Sequence, residues 1–265
     1  MVRSQLVTLL TDFGSIDVYV GVMKGVIAGI SPEINVVDLT HEIPPQDIAA
    51  ARFCWMNAYS YFPPGTVHVA VVDPGVGSQR RAVAVEIAEG FLVAPDNGLL
   101  SGILSQSPAI AAIELNRPQY WRTPNPSQTF HGRDIFAPIG AHLAAGTPLS
   151  ELGTPIDPAT LVCLPIPGYR QTETGWVGGF QYCDRFGNLV TTIPASAIAG
   201  KVKSVRVGNY SLPFVLTYSD AQPEELVALL GSHGWLEIAA NRGSAASQFP
   251  DWQHREVVIF NVSTG

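Results

Sequence analysis

Charge is scarce in this sequence. Asp, Glu, Lys and Arg make up 14% of its 265 residues, against about 25% in an average soluble protein. Fewer charges leave less polar surface, which points to an oligomer whose subunits cover one another. Basic residues are the scarcer sign: 15 Lys and Arg against 22 Asp and Glu give a net charge of −7. No basic run exceeds the pair Arg80-Arg81. A nucleic-acid binder needs a basic face to displace counterions; none is present, while the balance suits a small cationic ligand. The three cysteines, Cys54, Cys163 and Cys183, are far apart and form no CxxC, which speaks against a disulfide or zinc framework and for a reducing compartment. Long apolar runs are missing as well. The run after Arg3 is broken at Thr8 and ends at Asp12, too short for a signal peptide, and no stretch of about 20 apolar residues is available to span a membrane. A soluble cytoplasmic protein without membrane contact is the expectation.

What is present reads as two domains. Up to residue 152, short apolar runs alternate with helical stripes. Residues 6–10 form a strand ending at Thr11-Asp12-Phe13-Gly14. Val18, Val22, Val26 and Ile30 then recur at i, i+4 until Ser31-Pro32. Residues 35–39 are a second strand. Ile48, Ala51, Trp55, Ala58 and Phe62 make a second helical stripe, broken by Pro63-Pro64-Gly65. Residues 67–72 are a third strand, with others at 82–87, 91–94 and 110–115 and a helix at 135–145. This alternation predicts an α/β domain, a mostly parallel sheet flanked by helices. Residues 153–169 are proline-punctuated and aperiodic, and read as a linker. Residues 170–265 carry short strands at 175–182, 188–193, 204–207 and 256–262, with one helical segment at 223–231. They predict a smaller antiparallel β-barrel-like or sandwich domain.

Ligands of open parallel sheets bind beyond the carboxyl ends of the strands. Three of those ends carry polar residues: Asp12, the loop from Asp73-Pro74-Gly75 to Arg80, and Pro95-Asp96-Asn97-Gly98. A fourth loop, Thr129-Phe130-His131-Gly132-Arg133-Asp134, opens a helix, and Asp184-Arg185-Phe186-Gly187-Asn188 lies in the second domain. Taken singly, each is turn chemistry, and Asp134 is a candidate helix cap. Taken together, one topology brings Asp12, Asp73 and Asp96 to a single sheet edge beside His131. Familiar motifs fail here. Asp12-Phe13-Gly14 has no Gly-rich loop before it and no His-Arg-Asp after it, which excludes a kinase. Gly75-Val76-Gly77 lacks the third glycine of a dinucleotide fingerprint, and there is no P-loop, GxSxG or HExxH. A metal held by Asp12, Asp73, Asp96 and His131 stays open on the residues alone.

In this order and spacing, Thr11-Asp12-Phe13-Gly14, Val72-Asp73-Pro74-Gly75-Val76-Gly77, Ala94-Pro95-Asp96-Asn97-Gly98-Leu99, Phe130-His131-Gly132-Arg133-Asp134 and Asp184-Arg185-Phe186-Gly187-Asn188 resemble the S-adenosylmethionine hydroxide adenosyltransferases, relatives of the S-adenosylmethionine-dependent fluorinase and chlorinase. The resemblance runs from Leu6 to Val262. It implies hydrolysis of S-adenosylmethionine to adenosine and methionine, with no separate cofactor because that molecule is the substrate. It also implies a homotrimer, with the ligand between the first domain of one subunit and the second domain of the next. The family's catalytic Asp, Arg and His match Asp73, Arg80 and His131, with Arg81 adjacent. Its ribose aspartate matches Asp12, and the aromatic beside the catalytic loop matches Phe130. Its remaining ligand contacts match Asp184, Phe186, Asn188, Tyr218, Asn241 and Arg242. His233 falls where the halogenases have an arginine, and its role is open. Gln46 stands where the fluorinase has a tryptophan, and Asp73 and His131 stand where it has tyrosines; the fluorinase insertion after the third strand pair is absent. These departures favour water over halide as the nucleophile.

The chemistry suits the residue types. A sulfonium leaves as a neutral thioether, so the protein need only place a nucleophile behind C5′ and exclude competing solvent, which fixed geometry can reward by about 7–11 kcal/mol at best. Water needs an acceptor, for which Asp73 is suited, with Arg80 beside it; His131 can orient the water or take its proton. One carboxylate, Asp12, can accept both hydroxyls of a ribose diol. Phe130, Phe186 and Tyr218 offer aromatic faces for the sulfonium, and Asp184 and Asn188 offer polar groups for the amino-acid end. Three readings compete with hydrolysis: a halide adenosyltransferase, a non-catalytic adenosine or S-adenosylmethionine binder, and a metal-dependent hydrolase.

Overall fold

Strand and helix alternate in the first part of the chain as the apolar runs require: β1 (Leu6–Thr11), α1 (Tyr19–Ile30), β2 (Asn35–Thr40), α2 (Ile48–Met56), β3 (Thr66–Val71), β4 (Ala82–Ile87), β5 (Gly90–Pro95), α3 (Ser101–Leu104), β6 (Ala111–Glu114), α4 (Ala137–Ala145) and β7 (Thr154–Ile156). The structure is a computed structural model that describes residues 4–198 and 202–261. The chain divides into two units, Met1–Leu164 and Pro165–Gly265. Among the described residues no helix is long and apolar enough to cross a membrane.

The first unit is built on a seven-stranded sheet in the order β2-β1-β3-β5-β4-β6-β7. The sheet is mixed. β2, β1, β3 and β5 are parallel neighbours, whereas β4, β6 and β7 join antiparallel. β3 and β5 are buried along their whole length, as strands covered on both faces must be. Helix α1 turns Val20, Met23 and Ile27 inward, so its buried face is rotated from the expected 18-22-26-30 stripe; Val26 and Ile30 flank it. Asp47 caps α2 by accepting the Ala50 N–H at 2.9 Å, and the second helical stripe ends early, at Met56, followed by a short 3₁₀ turn at Tyr59–Tyr61. Segment 153–164 is more than a spacer. Thr154–Ile156 pairs with β6 as an edge strand, where the missing N–H of Pro155 is tolerated, and the Val162 N–H donates to Asp96 Oδ1 at 2.8 Å.

The second unit has two antiparallel sheets. One runs β10 (Phe180–Cys183), β11 (Leu189–Pro194), β15 (Trp235–Ala240), β14 (Leu226–Leu230). The other runs β13 (Tyr210–Leu212), β12 (Val202–Val207), β16 (Val257–Asn261), β9 (Gly175–Gly178), β8 (Arg170–Thr172). One apolar cluster draws on both, including Leu189, Ile193, Val205, Val207, Ile238 and Ile259. The short helices α5 (Ala195–Ile198) and α6 (Ala245–Gln248) complete the unit. The helix expected at 223–231 is strand β14. Leu226 and Ala228 face the main cluster while Val227 and Leu229 face a second one with Val215 and Ala221, the period-2 alternation of a strand buried on both sides. Val262, the last residue of the strand expected at 256–262, lies outside the described residues.

Two positions in the first unit make testable demands. A Cβ on Gly140 of α4 would lie 2.6 Å from Val69 Cγ2. Gly→Ala inside a helix ordinarily gains about 0.5–1 kcal/mol, but overpacking a stiff β-branched neighbour costs about 1–3 kcal/mol. Gly140→Ala should therefore lower the melting temperature by about 2–4 °C, by the usual scaling for a chain of this size, as read by calorimetry. His68 is buried in β3 against Thr8, with Oγ1 and Nδ1 2.8 Å apart. Burial pushes this imidazole down from 6.5 to about 4. Between those values the unfolded chain takes up a proton that the folded chain refuses. Stability should then be intact above pH 6.5 and fall as the pH drops towards 4, by on the order of 3 kcal/mol. In His68→Gln the melting temperature should depend less steeply on pH across that window.

Candidate active site

β1 and β3 lie side by side and parallel, with β2 and β5 outside them, so the connection after β1 leads to β2 on one side and the connection after β3 leads to β4 and β5 on the other. Crevices at such a switch point are where open α/β sheets bind ligands. A cavity of about 420 Å³ sits there, lined among others by Asp12, Gln46, Asp73, Phe130 and His131.

The loop after β3 is folded so that its far end returns to its start. The Val76 N–H donates to the Asp73 carbonyl at 3.2 Å, and Ser78 Oγ donates to the Gly75 carbonyl at 2.7 Å while accepting the Arg80 N–H at 3.2 Å. Gly77 cannot be replaced there: its φ is +78°, and a Cβ would lie 2.4 Å from the Gln128 carbonyl oxygen. This loop delivers Arg80 onto Asp73. Arg80 Nε donates to both Asp73 oxygens at 2.9 and 3.0 Å, and Nη2 also bonds Oδ2. Nη2 meets His131 Nδ1 at 2.6 Å. A guanidinium has only donors, so Nδ1 of His131 accepts, and the imidazole proton is assigned to Nε2. The Phe136 ring lies under the guanidinium, 5.3 Å from its carbon. Burial first, then the Arg80 charge, hold His131 below its usual range; Asp73 and Asp134 pull the other way without prevailing.

His131 enters through a π-helical turn, Gly132–Phe136, that precedes α4, a distortion that often marks functional sites. Asp134 does not cap a helix here. Its buried carboxylate accepts from Arg122 Nε and Arg133 Nε, both at 2.7 Å, and from the Ser127 N–H at 2.9 Å. Burial alone would raise it, but these donors hold it well below the ordinary carboxylate range. Asp134 thus ties the segment before His131 to the turn after it.

Opposite this group, Asp12 Oδ2 accepts the Gln46 N–H at 2.8 Å, and Gln46 holds φ at +66° to present it. Phe13, Tyr19 and Phe130 meet edge to face with centroids 5.3–5.9 Å apart. Phe13 and Tyr19 were not singled out by sequence: Phe13 reads as part of a turn motif, and Tyr19 as the start of a helix. Asp96, expected with Asp12 and Asp73, shares their sheet edge but not the cavity. Its oxygens take Arg81 Nε at 2.9 Å and the Val162 N–H at 2.8 Å. Arg81 is thereby occupied, and Arg80 is the arginine that joins Asp73 to His131. Among the described residues no three His, Cys, Asp or Glu side chains converge as metal ligands.

The second unit has its own cavity, of about 850 Å³, lined by Asp184, Phe186, Asn188, Tyr218, His233, Glu237 and Arg242 among others. Asp184 braces a turn, accepting the Phe186 and Asn188 N–H groups on Oδ1 at 2.9 and 2.8 Å and Asn188 Nδ2 on Oδ2 at 2.9 Å. Phe186 stands 77% exposed at its tip. Asn241 is used differently: its Nδ2 donates to the Ala221 carbonyl at 2.7 Å, which closes a loop. Glu237 was missed because an isolated Glu in an apolar run carries no motif.

Comparison with known proteins follows the same two units. The sequence model of the SAM hydroxide adenosyltransferase N-terminal domain matches residues 7–153, and that of the C-terminal domain matches residues 178–250. The chain is 39% identical over 247 residues to an (R)-S-adenosyl-L-methionine hydrolase of Salinispora tropica, covering 93% of this chain and 94% of that protein. It is 42% identical to one from Thermus thermophilus, over 90% and 93%. It is 28% identical to a fluorinase from an Actinoplanes species, over 91% and 92%. Among solved structures, an uncharacterised conserved protein of Thermotoga maritima superposes with a TM-score of 0.87 at 34% identity, covering 96% of this chain and 99% of the other.

The arrangement predicts a spectroscopic outcome independent of turnover. Arg80→Gln removes a cation that holds the imidazole down and leaves Asp73 to pull it up. The His131 titration, followed by NMR, should move to higher pH in this variant.

Proposed function

The chain belongs to the SAM hydroxide adenosyltransferase family, and we propose that it cleaves S-adenosylmethionine to adenosine and methionine by attack of water on the ribose C5′ carbon. The observation that carries this reading is the pair Asp73 and His131 on the wall of the first cavity, joined through Arg80, in a cavity that Asp12 and an aromatic cluster also line. Asp12 receives the ribose hydroxyls. Phe13, Tyr19 and Phe130 shape the apolar wall. Asp73 keeps lone pairs beyond those that Arg80 takes, and one of them accepts a hydrogen bond from the attacking water. Since Nδ1 of His131 is occupied by Arg80, its Nε2–H donates to the water oxygen and aims a lone pair at C5′. Orientation is therefore the role this reading gives the histidine, in preference to proton acceptance, because Arg80 already bonds Nδ1. As the O–C5′ bond forms, the C5′–S pair passes to sulfur, which leaves as the neutral thioether of methionine. The oxygen turns positive late in the step and passes its proton to Asp73.

Asp184, Phe186, Asn188, Tyr218 and Arg242 form a second half-site in the second unit. We place it over the first cavity of a neighbouring copy in a homotrimer. Apolar side chains left in water support this: Ile16, in the segment after β1, is 99% exposed and Phe186, on the second cavity, 77%, and subunit contact would bury them. A cytoplasmic location accords with three cysteines outside any disulfide. The relatives' printed names designate the (R) form of the substrate, and we extend that preference to this chain.

The test is product analysis after incubation with each sulfonium epimer, with and without chloride and chelator. Adenosine and methionine should appear in equal amounts, from the (R) epimer, whatever the chloride or chelator. A 5′-chloro product would place the chain with the halogenases, and tight binding without turnover would make it a binding module. Asp73→Asn should lower kcat by at least about 100-fold, the lower end for a lost proton acceptor, with KM little changed. Intact turnover with weakened binding would overturn the role given to Asp73.

A further inference from the structure

Glu237 lies in the middle of β15 on the wall of the second cavity and is 3% exposed. Its Oε1 accepts the Tyr218 hydroxyl at 2.7 Å, and its Oε2 lies 3.0 Å from His233 Nε2. His233 Nδ1 accepts the Trp235 N–H at 3.2 Å, so the ring proton is assigned to Nε2 and is donated to Glu237. Both neighbours donate, the pattern of an ionised carboxylate. The neutral imidazole satisfies this pattern without adding a positive charge. Among the described residues no Lys or Arg nitrogen lies within 4.0 Å of Glu237. Arg242 lines the same cavity but makes no such ion pair among the described residues.

A buried carboxylate with neutral partners is costly unless something positive completes it. Glu237, though buried, is among the residues that line this cavity, and so is Tyr218, which is 40% exposed. Burial and the adjacent Glu237 raise the Tyr218 phenol above its ordinary range, so it stays protonated and keeps donating. A phenol that donates to a carboxylate has a more electron-rich ring, and a ring so polarised attracts a cation over its face. We propose that Glu237, a residue that none of the sequence motifs contains, acts with the Tyr218 ring that it holds as the charge reader of the substrate, favouring the sulfonium form over neutral relatives of the same shape. This rests on the reading that S-adenosylmethionine is the substrate. It also gives the reaction a direction of release. Once the C5′–S electron pair has passed to sulfur, adenosine is neutral and methionine a neutral zwitterion, and the attraction that held the substrate is gone.

The experiment uses the full-length protein and two ligands that water does not cleave. S-adenosylhomocysteine is the neutral thioether; sinefungin carries an ammonium in place of the sulfonium. Dissociation constants are measured by calorimetry for the wild type and for Glu237→Gln, whose folding is checked by melting. The wild type should bind the cationic ligand at least about tenfold more tightly than the neutral one, the ratio that corresponds to about 1.4 kcal/mol. In Glu237→Gln the two affinities should come within about twofold of each other, chiefly through weaker binding of sinefungin. Equal loss of both affinities would make Glu237 a merely structural residue, and an unchanged ratio would remove it from ligand recognition; either overturns the proposal. If Glu237→Gln does not fold, the wild-type ratio still decides, since equal affinities there contradict charge reading. Cleavage of S-adenosylmethionine by the wild type is scored separately, so failure of the substrate reading is distinguishable from failure of this one.

Discussion

Arg80 bonds Asp73 and His131 at once, and much of the first unit's loop structure serves to keep its guanidinium where it is. The loop from Asp73 to Arg80 folds back on itself through Ser78 and Gly77 so that a residue seven positions downstream reaches the strand end. Phe136 supports the guanidinium from below, and Asp134 ties the π-helical turn to the segment before it. A donor-only group between an acid and an imidazole settles several questions together. It engages Asp73 without exhausting its lone pairs, it assigns the tautomer of His131, and it opposes protonation of that ring. What remains is acceptor capacity on Asp73 and the Nε2–H of His131, both residues of the cavity wall, and in the proposed reading these orient the attacking water.

The second unit answers a different requirement. Its cavity is lined by aromatic residues on braced turns and a buried carboxylate. Asp184 spends its oxygens on the turn that carries Phe186 and Asn188, and Glu237 spends part of its own on Tyr218 and His233. In the proposed reading, chemistry and recognition are divided between two units with unlike architectures. The parallel half of the first sheet supplies strand ends at a switch point, and the antiparallel sheets of the second supply a rigid wall.

Much of this was legible from residues alone, for identifiable reasons. Asp12 and Asp73 stand where apolar runs end, so sheet topology alone brings them together, and Arg80 and His131 follow from matched motifs. Asp96 satisfied the same strand-end rule and yet belongs to the scaffold, because Arg81 and the Val162 N–H consume it; no spacing rule shows which of two adjacent arginines turns which way. Strand β14 passed for a helix because a strand buried on both faces has no polar alternation to betray it. Glu237 and Tyr19 gave no signal, since their importance lies in hydrogen bonds and ring contacts made across distant segments. The proline-rich stretch at 153–169 reads as a linker although residues 154–156 form an edge strand, because prolines mark linkers and edge strands alike.

In the proposed reaction, oxygen from water is joined to C5′ at the Asp73–Arg80–His131 group. Cleavage of S-adenosylmethionine in ¹⁸O-enriched water, with mass spectrometry of both products, tests it most directly. One heavy oxygen should appear in the 5′-hydroxyl of adenosine and none in methionine. Label in the amino-acid fragment, or release of a 5′-thioether nucleoside in place of adenosine, would mean that a different carbon–sulfur bond is broken, and would contradict it.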